Sequence, residues 1–342
     1  MKNKNILIIG AGSIGNHFAN ASRSLGYNVN VMDKHQVALN RMRNKIYPQR
    51  YKKWDKKICL LKFKKKNLLQ LPLIDLVIIG TPPATHFDVY KNINKFIKFK
   101  KLMFEKPLCC FIENENKFNF KSRKIDFFCG YNHSISESFL FFESCLKQIR
   151  NAKLVEIKWN ESWHGILKAH FWLKNEYDSY LGDYKKGGGA LQEHSHGLHI
   201  AVCIAKKFDN LKNFKLQSHT LMKNNKRKYY DYSNNIFFKS KKININLEIN
   251  LLDNPSVKKL KLYHNNGYIE WVVNFKKNYD AVIKFNQKGE KICKLFKKSR
   301  SGEFANEIQH ILNIKNKKNY NLSNIKIQNA VDTIKLIKKI LK

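Results

Sequence analysis

The chain has 342 residues, of which 43% are hydrophobic, and a formal charge of +39. That length suggests two domains with sizeable cores, and no run reaches the ~18 apolar residues of a membrane span. The surplus charge sits on lysines scattered along the chain, with arginine scarce; this argues against nucleic acid as a partner, because phosphate and guanine recognition favours arginine.

Seven cysteines, Cys59, Cys109, Cys110, Cys129, Cys145, Cys203 and Cys293, form no C-x-x-C pair. They read as reduced side chains in apolar runs, so a cytoplasmic location is expected. The start, Met1 to Ile9, is basic then apolar, but the apolar part is too short for an export signal and leads straight into glycines.

Ile6, Leu7, Ile8 and Ile9 predict a short buried strand. Gly10, Gly12 and Gly15 follow as G-x-G-x-x-G. Gly10 allows a tight turn, Gly12 lets the backbone approach a pyrophosphate, and Gly15 lets the following helix sit close on the strand. That helix points its N–H groups and positive dipole end at the phosphates. It runs to about Leu25 and stops at Gly26. The strand Asn28–Met32 then ends on Asp33, where an acid accepts hydrogen bonds from ribose hydroxyls. The strand before, the helix after and this acid supply the context the glycine motif needs. The charge of Asp33 favours NAD(H); Lys34 follows directly and leaves NADP(H) open.

Gln36 to Lys45 reads as a helix, and 46–57, with Pro48, as a surface loop. Strands are expected at Ile58–Phe63 and Leu73–Ile79. The second ends in Gly80-Thr81-Pro82-Pro83-Ala84-Thr85-His86, a turn at a strand's carboxyl end, where ligands bind in doubly wound sheets. A helix from Thr85 to Ile97 follows, then a strand, Lys101–Phe104, and Glu105-Lys106-Pro107. A helix over Ile112–Phe120, a strand over Asp126–Gly130, the tripeptide Tyr131-Asn132-His133 and a helix over Ser136–Ile149 complete the alternation. It predicts a Rossmann-type doubly wound parallel sheet, assigned to residues 1–125.

Residues 126–342 are assigned to a second, α+β domain on an open, largely antiparallel sheet, its last helices free to pack back on the first. The strand-like runs are Lys153–Ser162, Phe214–Met222, Tyr229–Phe238, Ile243–Leu252, Lys258–Tyr263, Gly267–Val273, Ala281–Phe285 and Ile292–Phe296. Amphipathic helices are expected at Glu303–Ile314 and Ser323–Leu341, with 315–319 a loop. Residues 163–186 hold Trp163, His164, His170, Trp172, Tyr177 and Tyr180 without periodicity, as functional loops often do.

Gly187-Gly188-Gly189 opens a predicted helix through Ala205. On it Glu193 and His196 are neighbours, as are His196 and His199. The carboxylate would hold the imidazole in one tautomer, and His196 would take a hydroxyl proton while hydride leaves the carbon. Lys106, extended beside Pro107 at a strand end, would stabilise negative charge on the substrate oxygen. Glu193, His194, His196 and His199, with His164 and His170, also offer metal ligands. The spacing is not H-E-x-x-H, and no metal is expected.

These pieces together resemble the glucose–fructose oxidoreductase/inositol dehydrogenase (Gfo/Idh/MocA) family. The matching residues are Gly10 to Gly15, Thr81-Pro82-Pro83 with His86, Glu105-Lys106-Pro107, Gly130-Tyr131-Asn132, Gly187 to Leu191 with Glu193 and His196, and Phe304 with Glu307. The resemblance implies hydride transfer between NAD(P) and a sugar, cyclitol or related compound. It implies cofactor contacts from Gly10, Gly12, Ser13, Ile14, Gly15, Asp33, Thr81, Pro82, His86, Glu105 and Lys106. It makes Lys106 the strand-end lysine and His196 the acid/base, with Glu193 or His199 orienting it, and turns Tyr131, Asn132, Trp172 and Tyr180 towards substrate. Two departures stand out: Gly197 fills the usual histidine position, and His133 stands where many members carry arginine. The stretch from Trp172 to His196 looks like a branch associated with surface-polysaccharide sugars, so the expected substrate is a sugar or nucleotide sugar. An open sheet also implies a homodimer or homotetramer. The rival reading is a non-catalytic NAD-binding regulator or scaffold.

Overall fold

The computed structural model describes residues 4–113, 120, 124–149, 151–169, 173–225 and 228–342. The chain divides into two compact units: the first is 1–109, 113–132 and 300–327, the second 110–112, 133–299 and 328–342.

In chain order the first unit contains β1 (Asn5–Ile9), α1 (Ser13–Ser24), β2 (Asn28–Asp33), α2 (Gln36–Arg41), α3 (Tyr47–Tyr51), β3 (Ile58–Lys62), α4 (Lys65–Leu69), β4 (Leu76–Ile79), α5 (His86–Asn94), β5 (Lys101–Phe104) and β6 (Asp126–Cys129). The second carries α6 (Glu137–Leu146), β7 (Ala152–Asn160), α7 (Trp163–Ala169), α8 (Ala190–Glu193) and α9 (Ser195–Phe208). It continues through β8 (Lys215–Asn225), β9 (Lys228–Lys239), β10 (Asn244–Asn250), β11 (Val257–His264), β12 (Gly267–Lys276), β13 (Tyr279–Asn286) and β14 (Lys291–Lys297). The chain then returns to the first unit with α10 (Arg300–Asn313) and α11 (Lys317–Leu322), and ends on α12 (Ile327–Leu341), nearly all of it in the second.

The first sheet is ordered β3-β2-β1-β4-β5-β6 and is parallel throughout. Its central strands are apolar on both faces, as helix-covered parallel strands must be: every residue of β4 is buried, and so are Ile6 to Ile9 of β1. The order reverses between β1 and β4, the switch point at which such sheets bind ligands. The second sheet, β14-β13-β12-β11-β7-β10-β9-β8, is antiparallel except for the parallel β7–β10 pair. Strand β10 alternates, with Ile245, Leu247 and Ile249 inward, whereas the edge strand β14 buries no residue. Trp159 and Trp271 fill its core, with Phe139 of α6 set 4.9 Å from Trp271.

Several expectations change. The boundary expected at residue 125 lies one strand too early, because β6 pairs with β5. Residues 46–57 are not simply a loop: Pro48 sits in the first turn of α3, where its missing N–H costs nothing, and a π-turn over Met42–Ile46 joins α2 to α3. The helix expected through Ala205 breaks at His194 (φ −96°, ψ 25°), giving α8 and α9. Residues 163–186 hold α7 and two short 3-10 turns, Glu176–Asp178 and Tyr184–Lys186. The loop expected at 315–319 runs into α11. Most of the helix expected at Ile112–Phe120 lies outside the described residues.

Candidate active site

The fingerprint turn is built as its glycines require. Gly10 has φ +112°, and a Cβ there would stand 2.7 Å from the Gly80 carbonyl oxygen. A Cβ on Gly15 would stand 2.0 Å from the Gly10 oxygen, so helix and strand could not meet. Gly12 faces open space. No side chain caps α1, so its first-turn N–H groups are left for an anionic ligand. From Ile6 to Asn16 only Gly12, Ser13 and Ile14 come out of burial. Asp33 is fixed at the end of β2 by two main-chain donors, Ala11 N–H to Oδ2 and His35 N–H to Oδ1, both at 2.9 Å. Each carboxylate oxygen keeps a lone pair for a ribose hydroxyl. The residues present therefore fit a nicotinamide dinucleotide.

Arg50, hidden in the stretch read as a loop, adds to this edge. Its guanidinium donates to the Ser13 carbonyl and to Ser13 Oγ, each at 2.8 Å. Burial, with the nearby Arg300 charge, holds its pKa below the usual value. Arg300 lies over the Phe304 ring at 4.8 Å, and Phe304 stacks on His17 of α1 at 4.9 Å. So the late helix α10 packs on the helix that carries the fingerprint.

Thr81 is half-buried and Pro82 exposed. His86 differs from expectation: it is fully buried, so it serves the cofactor edge only indirectly. Its Nδ1 lies 2.9 Å from the Leu108 carbonyl and its Nε2 2.8 Å from the Thr81 carbonyl. Burial outweighs these two acceptors and lowers its pKa. The ring ties the turn after β4 to the turn after β5.

That second turn carries Glu105 and Lys106, with a cis Lys106–Pro107 peptide. Glu105 is buried, its Oε2 accepting the Lys106 N–H at 2.5 Å. A Cβ on Gly130 would come within 3.1 Å of Glu105 Oε1, so β6 supports the carboxylate from the side. From Leu102 to Cys110, Lys106 alone is not buried. Near Glu105 stands Glu307 of α10, fully buried, with no hydrogen-bond partner for either carboxylate oxygen among the described residues. Burial first, then the Glu105 charge, raises its pKa well above the usual carboxyl value.

In the second unit the glycine triplet and α8 follow the same pattern. From Gly187 to Ala205 every residue is buried except Glu193 and His196. His194 is turned inward, its Nε2 3.1 Å from the Glu161 carbonyl, and burial, with the Lys258 charge, lowers its pKa to about 4. His199 departs from expectation: it is fully buried, both ring nitrogens 3.9 Å from the Cys203 sulfur, and belongs to the core. His133, noted in the sequence only as a departure, is the ring beside His196, edge-to-face at 4.8 Å. Trp159 backs both, 5.1 Å from His133 and 6.0 Å from His196. Gly197 also finds its reason here. A Cβ on it would stand 2.6 Å from Trp159 Cβ, so no side chain fits at that position and the outward imidazole comes from His196.

Of the substrate candidates, Tyr131 is fully buried, Asn132 is 8% exposed and Tyr180 half-buried. The Tyr180 carbonyl lies against Gly188, where a Cβ would stand 2.3 Å away. Trp172 and His170 lie outside the described residues. Among the described residues no group of three or more histidine, cysteine or acidic side chains is arranged to hold a metal ion, and no helix is long and apolar enough to cross a membrane.

A switch-point glycine turn, an acid held at the end of β2 and a lysine left unburied on the turn after β5 are the features that the dinucleotide-binding unit of an NAD(P)-dependent oxidoreductase needs. Residues 4–118 match the family model of the Gfo/Idh/MocA oxidoreductases, described as an NAD-binding Rossmann fold, as the resemblance led us to expect. No curated protein matches the sequence. Solved structures share the fold across both units. A UDP-N-acetylglucosamine 3-dehydrogenase (GnnA) from Acidithiobacillus ferrooxidans aligns at TM-score 0.71 and 12% identity over 99% of this chain and 97% of its own. An inositol dehydrogenase homolog from Azotobacter vinelandii, complexed with NAD+, gives 0.72 and 12% over 99% and 94%. A 3-ketoreductase (KijD10) from Actinomadura kijaniata, in complex with NADP and TDP-benzene, gives 0.71 and 11% over 99% and 97%. At these identities the likeness is one of fold.

Proposed function

We propose that this protein transfers hydride between NAD(P) and a hydroxyl-bearing carbon of a sugar or nucleotide sugar, in surface-polysaccharide sugar biosynthesis. One observation carries the reading: in two long buried segments the only side chains left unburied are Lys106 in the first unit and Glu193 and His196 in the second. The substrate class rests on the sequence pattern from Trp172 to His196 and on the activities that name the similar folds.

The nicotinamide ring, when bound, supplies the hydride acceptor or donor. Lys106 donates a hydrogen bond to the oxygen of the reacting carbon and stabilises the charge growing there. His196 takes the hydroxyl proton in the oxidative direction and returns it in the reductive one. Gly12, Ser13 and Ile14 hold the pyrophosphate through main-chain N–H groups, and Asp33 orients the adenine-side ribose. A homo-oligomer accords with the apolar side chains Leu221, Met222 and Phe237 exposed on β8 and β9.

The test is spectrophotometric. Purified protein is mixed with NAD+ or NADP+ and a panel of sugars and nucleotide sugars, and absorbance at about 340 nm is followed. Turnover lost in both Lys106→Ala and His196→Ala supports the reading. Tight NADH binding with no turnover on any panel member supports a scaffold instead.

A further inference from the structure

α8 is one turn long, too short to hold itself together in water. It is kept in place by buried polar groups. Gln192, fully buried, donates through Nε2 to the Tyr184 carbonyl at 2.5 Å and to the Gly188 carbonyl at 3.0 Å, and its Oε1 accepts the Phe111 N–H at 3.0 Å. Asp231 of β9, also fully buried, accepts the Leu191 N–H at Oδ2, at 2.7 Å. The same oxygen accepts Asn234 Nδ2 at 2.7 Å, and Thr220 of β8 donates to Asn234 Oδ1 at 2.9 Å. The carboxylate is therefore braced from the sheet and presented to the start of α8.

The opposite oxygen, Asp231 Oδ1, faces the glycine triplet. Gly189 has φ +87°, and a Cβ on it would stand 2.1 Å from that oxygen. Gly188 is fitted as closely on another side, where a Cβ would come within 2.1 Å of the Leu181 carbonyl. Two of the three glycines thus have different reasons to be glycine, and one of those reasons is Asp231.

The geometry points to Asp231 as the positioning residue of the proton-transfer segment, a buried acid whose protonation state sets how firmly Glu193 and His196 are presented. The inference rests on the reading of those two side chains given above. A neutral side chain would cap Leu191 without the cost of burying a carboxyl. Here an acid does it, and Oδ1 has no hydrogen-bond partner among the described residues.

The groups that act on this carboxyl are few. α8 brings the Leu191 N–H, β9 brings Asn234 and the Asp231 N–H, and β8 brings Thr220 only behind Asn234; among the described residues no charged side chain contributes. Burial dominates and lifts the pKa from 3.8 to about 7. A raised acid stabilises the fold fully below its ordinary value, and that contribution is lost as pH rises through about 7. Above that pH the ionised Oδ1 demands water, and the packed triplet leaves no room for it without opening.

The experiment is hydrogen–deuterium exchange of the peptide covering 187–198 in the whole protein at about pH 6 and about pH 8, corrected for intrinsic base catalysis. In the unaltered protein, exchange of this peptide should rise about fivefold or more between the two, as expected when a cap weakens. Asp231→Asn keeps an acceptor for Leu191 and should remove that pH response. Asp231→Ala should raise exchange at both pH values and lower kcat while leaving KM and NADH affinity unchanged. If the alanine variant does not fold, the asparagine variant decides alone. A pH response in Asp231→Asn equal to that of the unaltered protein overturns the inference, as does an unchanged peptide in a folded Asp231→Ala. Exchange needs no substrate, so a His196→Ala variant with unimpaired turnover would sink the proposed reaction while leaving this assignment standing.

Discussion

The two units do comparable work by different means. In the first, the proposed cofactor edge is made of main-chain groups: N–H donors of Gly12, Ser13 and Ile14, and an Asp33 that is itself held by two N–H groups. In the second, the candidate chemistry is made of side chains on a broken helix, held from behind by Gln192, His194 and Asp231. A backbone site depends on a few consecutive residues. A side-chain site depends on partners far along the chain: Leu191 and its cap are 40 residues apart.

The largest effect should come from the backbone side. Gly15→Ala puts a Cβ against the Gly10 carbonyl; NADH binding measured by fluorescence should vanish, with thermal unfolding shifted down by about 3 kcal/mol or more, the scale of severe overpacking. A variant that binds NADH normally would break the comparison at its first term. Next come the half-buried side chains. His196→Ala and Lys106→Ala should each lower turnover by about a hundredfold or more, with the dissociation constant for NADH nearly unchanged in the first. His86→Ala removes a buried ring joining two turns; it should cost about 2–4 kcal/mol in chemical denaturation and weaken cofactor binding with it.

A smaller effect tests the buried acid near Glu105. Glu307 has its pKa raised by burial and by Glu105, so its stabilising neutral form is lost as pH rises through that raised value. Glu307→Gln should therefore raise Tm by about 2–4 °C on the alkaline side and leave it unchanged in acid. The smallest change is expected from Arg50→Gln, which loses the bonds to Ser13; NADH affinity should fall by about threefold to tenfold, the net worth of one ordinary hydrogen bond.

The same contrast explains how far the sequence could be read. The fingerprint, the β4 turn and Glu105-Lys106-Pro107 were legible because local sequence dictates local backbone. The alternating strands of the second sheet were legible for the same reason. The break at His194 was not, since no glycine or proline marks it; the inward bond to Glu161 makes it. Arg50 was hidden because Pro48 reads as a loop breaker and here opens a helical turn. Asp231 was hidden in Tyr-Tyr-Asp-Tyr, where alternation says nothing of a buried acid. His199 looked like a second outward imidazole because a continuous helix was assumed.

The return of residues 300–327 to the first unit has a consequence for biosynthesis. α10 stacks on α1 through Phe304, and the Ile325 carbonyl accepts the Cys129 N–H next to β6. A ribosome therefore releases the nucleotide-binding half long before the pieces that finish it exist. All six strands of its sheet have been made by then, but any fragment ending near residue 132 would lack α10 and the Ile325 partner of Cys129 and carry an unfinished edge that invites aggregation.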